Sequence, residues 1–198
     1  MMNYNFFALI SRMKYIDRWA LMRNTRQENL CEHCMEVAMI AHALCVIGNT
    51  RYGRHLDANK AALVGLYHDA SEIITGDMPT PVKYYNKELK EAYKQVEAIA
   101  DDKLLEKLPD DLRPAFEQVF KAEDNEDERY MRKLVKAADK LSALIKCMAE
   151  TSAGNNEFRT AKESTEKAVR SLYMECPEVL DFVNEFLSSY GNTLDELT

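Results

Sequence analysis

Apolar residues return every three to four positions along most of the chain, the spacing of helices that bury one face. Residues 4–17 carry this pattern first, with Phe7 and Ile10 on one face. Residues 28–47 carry it most strongly. Counting from His33, a step of about 100° per residue places Val37, Ile40 and Leu44 on the same face. His33 therefore points inward with the stripe, and His42 faces the opposite side. Residues 48–56 read as a loop with His55 at the surface, and Asp57 is placed to cap the next helix. That helix is predicted from Ala58 to about Thr75. It is apolar nearly all round over Ala61–Tyr67, so it is expected to be central and buried. Gly76 stops it.

The segment Gly76-Asp77-Met78-Pro79-Thr80-Pro81 is a stiff loop, because Met78 and Thr80 each precede proline. Residues 82–121 read as polar, surface helices with a break at Leu108-Pro109-Asp110-Asp111, and 122–129 as an acidic connector and helix start. The next helix, 130–150, has one apolar stripe of Leu134, Ala137, Leu141, Leu144, Ile145 and Met148. Asp139 lies on the other side, beside Val135, Ser142 and Ala143, so periodicity alone reads it as solvated. A loop at Gly154-Asn155-Asn156 leads to helices over 157–175 and 178–190. There is no internal repeat and no convincing strand. The expected fold is all-α: one domain over residues 1–198, a bundle of about seven to nine helices, with 155–198 forming C-terminal helices.

Composition narrows the picture. The 198 residues suffice for one domain with a substantial core, and 6 Gly and 5 Pro disfavour a loop-rich all-β protein. A net charge of −7 gives no general attraction to a nucleic-acid polymer or an anionic membrane. No apolar run is expected to reach the roughly 18 residues of a membrane helix, and the N-terminus lacks a signal pattern. A cytoplasmic protein is expected. The 5 Cys are odd in number, which fits reduced thiols. Cys31 and Cys34 form a lone C-x-x-C inside a helical pattern, read as two small buried or half-buried thiols.

The chemistry concentrates in Tyr67-His68-Asp69-Ala70-Ser71-Glu72. Imidazole and carboxylate together suit a divalent metal. Buried Asp and Glu are costly unless paired or metal-bound, and Glu72 follows His68 by one helical turn. Arg18, Arg23 and Arg26 make a basic segment whose arginines are expected at the surface or on carboxylates. Trp19, the single tryptophan, beside Arg18 suits either the core or a pocket wall.

The set His33, His68-Asp69 and Asp139 resembles the H…HD…D signature of the HD-domain metal-dependent phosphohydrolases. Around it stand Arg18-Trp19, Glu28-Asn29 with Glu32-His33, Tyr67 to Glu72, Thr75 to Tyr84, Lys136-Ala137-Ala138-Asp139, and Gly154-Asn155-Asn156-Glu157-Phe158. Together these resemble the bacterial 5′-deoxynucleotidase branch, over about residues 6–160.

The resemblance implies an HD-type helical fold, with the site built mainly from residues 18–139. One divalent cation is implied, Co²⁺ or Mn²⁺ first, with Zn²⁺, Mg²⁺, Fe²⁺ or Cu²⁺ also admitted, held by His33, His68, Asp69 and Asp139. The implied reaction hydrolyses deoxyribonucleoside 5′-monophosphates to deoxynucleoside and phosphate by metal-activated water, with a homodimer as the working form. Arg18 would hold the phosphate and Trp19 would pack on the sugar and disfavour a 2′-hydroxyl. Asp77, Met78, Pro79 and Thr80 would contact substrate, and His33, Asp69 and Asp139 would border it. Glu72 and Asp77 would be the acid–base residues. Asp77 is expected to protonate the leaving oxygen and Glu72 to orient water, though the two can exchange. Two other readings stand beside this one: an HD phosphohydrolase for a di-, tri- or cyclic nucleotide, and a non-catalytic metal- or nucleotide-binding module.

Overall fold

The computed structural model describes residues 4–83 and 85–198, apart from the side chains of Thr80 and Pro81. In chain order the helices are α1 (Phe6–Ile10), α2 (Leu30–Arg51), α3 (Ala58–Tyr67), α4 (Glu72–Thr75), α5 (Thr80–Lys83), α6 (Lys87–Leu105), α7 (Arg113–Phe120), α8 (Glu126–Ser152), α9 (Arg159–Arg170), α10 (Pro177–Glu185) and α11 (Leu194–Leu197). Seven of these have eight residues or more, as expected for an all-α bundle.

The core is a sandwich of α2, α3 and α8. Val37, Leu44, Ala61, Leu134 and Leu141 are fully buried in it. Helix α2 begins with a capping box: the Asn29 side chain accepts from the Glu32 N–H, and the Glu32 carboxylate accepts from the Asn29 N–H. By length and composition α2 could cross a membrane. Here Val37, Ile40, Ala41, Leu44 and Cys45 lie in the core, while Met35, Met39 and Val46 are exposed. Helix α3 crosses α2 backbone on backbone. A Cβ added at Gly65 would lie 2.7 Å from Ala38 Cα, so only glycine permits this approach.

Several expectations are corrected. The helix from Ala58 ends at Tyr67, and residues 68–71 form tight turns (Ala70 N–H to Tyr67 O, Glu72 N–H to Asp69 O, both 3.0 Å) before α4 resumes. Ala70, buried with Phe6, Leu104, Leu105 and Leu108, nails this turn to α1 and α6. Helix α3 is buried on one side only, with Leu63 and Leu66 exposed, and the predicted surface helix α6 buries Tyr93, Ala100, Leu104 and Leu105. The N-terminal helix stops at Ile10, continues as a 3₁₀ turn to Tyr15, and gives way to β1 (Asp17–Arg18), antiparallel to β2 (Glu28–Asn29). The register Arg18↔Glu28 is non-local, which is why periodicity did not reveal it. The loop expected from residue 48 starts later, since α2 runs to Arg51.

Candidate functional site

Two helices and one turn deliver the metal-type side chains to one place. His33, on α2, is fully buried, as its position on the stripe predicts. His68 and Asp69 occupy the turn after α3, and Asp139 stands on α8. The two imidazole rings are 5.2 Å apart. His33 Nε2 lies 3.2 Å from Asp139 Oδ1 and 3.6 Å from Asp69 Oδ2, and His68 Nε2 lies 3.1 Å from Asp69 Oδ2. Both Nε2 atoms are buried and have no hydrogen-bond partner, so these short contacts lack hydrogen-bond geometry.

Those two orphaned nitrogens face two carboxylates. Buried polar atoms are rarely left without a partner, and donors about 2.1 Å from a common ion lie about 3 to 4.2 Å from each other. The set therefore fits a divalent metal, and ligand atoms of His33, His68 and Asp139 all fall within 4.8 Å of one another. Both rings turn the same nitrogen toward the site because Nδ1 is engaged elsewhere. His68 Nδ1 donates to the Gly65 carbonyl at 2.7 Å, and His33 Nδ1 contacts Ser142 Oγ at 3.0 Å.

The electrostatics agree. Burial lowers the His33 pKa, which keeps its lone pair available. Burial also works against charge on His68, but the adjacent Asp69 outweighs it and holds the pKa well above the usual imidazole range. The same carboxylate charge favours a metal cation at that nitrogen.

Asp139 is corrected from its sequence reading. Its side chain is 42% exposed, yet it faces the site rather than bulk solvent, because α8 is buried on both flanks: Val135, Ala138 and Ser142 are as enclosed as Leu134 and Leu141. Cys34 is buried and Cys31 is exposed, so the expected pair of enclosed thiols is half right. Cys34 Sγ lies 3.8 Å from His68 Nδ1, and ligand atoms of Cys34, His68 and Asp69 also fall within 4.8 Å of one another.

Around this centre stand Arg18 and the acidic groups. Arg18 is fixed to Glu28 at 3.1 Å, with both side chains 13% exposed. Burial works against its charge, and Glu28, Asp139, Asp69 and Asp77 outweigh it. Arg23 and Arg26 sit on Glu157 and Glu32, away from the centre. Trp19 has the one positive φ (56°) among described non-glycine residues. Its ring leans on Phe158 at 5.4 Å, and its backbone N–H faces the Asp77 carboxylate. Burial raises the Asp77 pKa and Arg18 pulls it back.

Glu72 is buried at the start of α4, and its Oε2 has no partner. Burial, then Asp69 and Asp77, pushes its pKa up to about 9. Gly76, with φ of 73°, ends α4 and starts the segment of Asp77, Met78 and Pro79. The Thr80 side chain lies outside the described residues, as does Tyr84. Sequence reasoning missed Lys83, bound to Glu97 at 2.6 Å and near enough to act on Glu72 and Asp69. It also missed the buried Ser142 and the half-buried Glu36. Two surface cavities, about 340 and 440 Å³, lie beside the 23–28 segment and are not lined by the His33, His68, Asp69 and Asp139 set.

The 5′-deoxynucleotidase YfbR-like family profile matches residues 5–190. The chain belongs to that family. It is 46% identical over its full length to a 5′-deoxynucleotidase of Erwinia tasmaniensis, covering 98% of that relative, and 46% identical over 195 residues to 5′-deoxynucleotidase YfbR of Salmonella typhi, covering 98% of this chain and 96% of the relative. Among solved structures it resembles an HD-domain phosphohydrolase from Listeria innocua (TM-score 0.79, 23% identity, 94% of this chain and 88% of the other). It also resembles a cyanophage S-2L HD phosphohydrolase bound to dA and one catalytic Zn²⁺ (TM-score 0.64, 19% identity, 93% and 95%). Both likenesses bear out the HD-type helical fold.

Proposed function

We propose that this chain is a metal-dependent 5′-deoxynucleotidase, a phosphoric monoester hydrolase releasing orthophosphate and a deoxynucleoside. The observation that carries the reading is the pair of orphaned, buried Nε2 atoms of His33 and His68 facing Asp69 and Asp139, in a chain 46% identical throughout to proteins named for that activity.

His33, His68, Asp69 and Asp139 would hold one divalent cation, Co²⁺ or Mn²⁺ by this reading, with Zn²⁺ supported by the zinc-bound cyanophage phosphohydrolase. Such an ion lowers the pKa of bound water from 15.7 toward about 7 and offsets phosphoryl charge. Arg18 supplies the second positive charge. Its guanidinium forks onto phosphate oxygens, and Glu28 fixes it from behind. Trp19, braced by Phe158, offers a flat wall for the sugar.

Glu72 is the carboxyl that keeps its proton at neutral pH, because its pKa stands at about 9. We therefore assign it the proton delivered to the leaving 5′-oxygen. Asp77, against the Trp19 N–H and Arg18, orients the Arg18-Trp19 pair and the substrate. That exchanges the two roles expected from sequence. Met78, Pro79 and Thr80 complete the substrate edge. Residues 1–198 act as one domain, in the cytoplasm, as a homodimer.

A panel of mono-, di-, tri- and cyclic nucleotides tests the reading. Orthophosphate from deoxynucleoside monophosphates, and no pyrophosphate or triphosphate from the others, is expected. Turnover confined to another nucleotide class would move the chain to a different HD chemistry.

A further inference from the structure

His33 is oriented by a chain of side chains that continues past it to the protein surface. Its Nδ1 lies 3.0 Å from Ser142 Oγ, and Ser142 Oγ donates to Glu36 Oε2 at 2.6 Å. A serine hydroxyl has one proton. Glu36, as a carboxylate, has none to give, so the Ser142 proton goes to Glu36. Ser142 can then only accept from His33, which fixes the proton on Nδ1 and leaves the lone pair on Nε2.

The placement is built on helix geometry. Glu36 follows His33 by three residues on α2, and Ser142 follows Asp139 by three on α8. Each helix thus presents one residue of the metal-type set and, one turn on, one residue behind it. Ser142 is fully buried, and Glu36 is half-buried in the wall of the 440 Å³ cavity that also includes Met35, Met39 and Lys146. His68 reaches the same end differently, through the Gly65 carbonyl on its own helix.

We propose that Glu36 and Ser142 are positioning residues that lock the tautomer and ring plane of His33, so that Nε2 is presented to the metal centre. The proposal rests on the reading of that centre given above. Outer partners of this kind typically change metal affinity by about 10–100-fold.

Two measurements on the full chain test it. Long-range ¹⁵N–¹H NMR of the metal-free protein at neutral pH reads the His33 tautomer, and calorimetric titration with Mn²⁺ reads affinity. The parent should show Nδ1–H. Ser142→Ala and Glu36→Leu should populate Nε2–H and lose about 10–100-fold in Mn²⁺ affinity. Glu36→Gln keeps an acceptor oxygen and should stay within about 3-fold of the parent. A purely structural role would lower the melting temperature and leave the tautomer alone. Should Ser142→Ala fail to fold, Glu36→Leu, at the half-buried end, carries the test. The proposal is overturned if the parent His33 carries its proton on Nε2, or if the variants match the parent in tautomer and affinity. A parent with Nδ1–H that binds no Mn²⁺ would sustain the relay and overturn the metal reading instead.

Discussion

His33 Nε2 and Asp139 Oδ1 lie 3.2 Å apart across the interface of α2 and α8, and neither makes a hydrogen bond to the other. A lone pair and a carboxylate so placed repel unless a cation lies between them. Asp139→Ala should therefore abolish stoichiometric metal binding, weakening it by more than the roughly 100-fold typical of an outer partner. Thermal stability of the metal-free protein should fall modestly at neutral pH, since burial works against the Asp139 charge but His33 and His68 outweigh it and hold its pKa below the ordinary carboxyl value. Metal analysis after dialysis checks this, and retention of one ion per chain would count against the assignment of Asp139.

The second relationship is between Gly65 and Ala38. Gly65→Ala puts a methyl group 2.7 Å from the Ala38 Cα, so α3 must shift from α2. Overpacking of this kind costs about 1–3 kcal/mol. Gly65 also carries the carbonyl that holds His68. The variant should lose metal affinity as well as stability. A variant with lowered melting temperature but parental affinity would show that the two helices can part without disturbing His68.

How much of this was legible beforehand differs by residue. His33 was readable because it shares a face with Val37, Ile40 and Leu44, and His68-Asp69 because a buried acid pair needs a reason. Asp139 was not readable from periodicity. Helix α8 is packed on two sides, so the face opposite Leu134 and Leu141 is not a solvated one. Arg18 was assigned only through resemblance, because its place depends on pairing with Glu28, a contact ten residues away with no periodic signature. The turn at 68–71 has no Gly or Pro to announce it; it is imposed by tertiary packing of Ala70 against Phe6 and Leu104. Ser142 was visible only as one small residue among several.

Glu150 fastens the loop after Trp19 to α8. Its carboxylate accepts from Thr25 N–H (2.9 Å), Thr25 Oγ1 (2.6 Å), Asn155 Nδ2 (2.8 Å) and Lys146. Burial would raise its pKa, but Lys146, Thr25 and Asn155 hold it well below the usual carboxylate range. A depressed folded-state pKa contributes stability that is present above the unfolded value and lost as pH falls through the folded one. Parent stability should therefore fall as pH drops below about 4.5, the ordinary carboxyl value. Glu150→Gln should start lower by about 1–3 kcal/mol at neutral pH and show a shallower acid decline. Denaturant melts across pH decide it, and parallel curves would refute the role.

On the proposed assignment Glu72, with its pKa pushed up to about 9, acts in its protonated form. Activity should hold through neutral pH and decline as pH rises through that value. Glu72→Gln should lose about 10²–10⁴-fold in kcat with metal affinity within about 3-fold of the parent. A variant that keeps both its rate and the alkaline decline would return the proton to Asp77.

The most direct measurement is orthophosphate release from dAMP by chelator-stripped protein, before and after adding back Mn²⁺ or Co²⁺, with AMP alongside. The account predicts no release without metal, turnover restored by the ion, and AMP cleaved far more slowly because the Trp19 wall disfavours a 2′-hydroxyl. Metal demonstrably bound with no phosphate released from dAMP or any other deoxynucleoside monophosphate would contradict it.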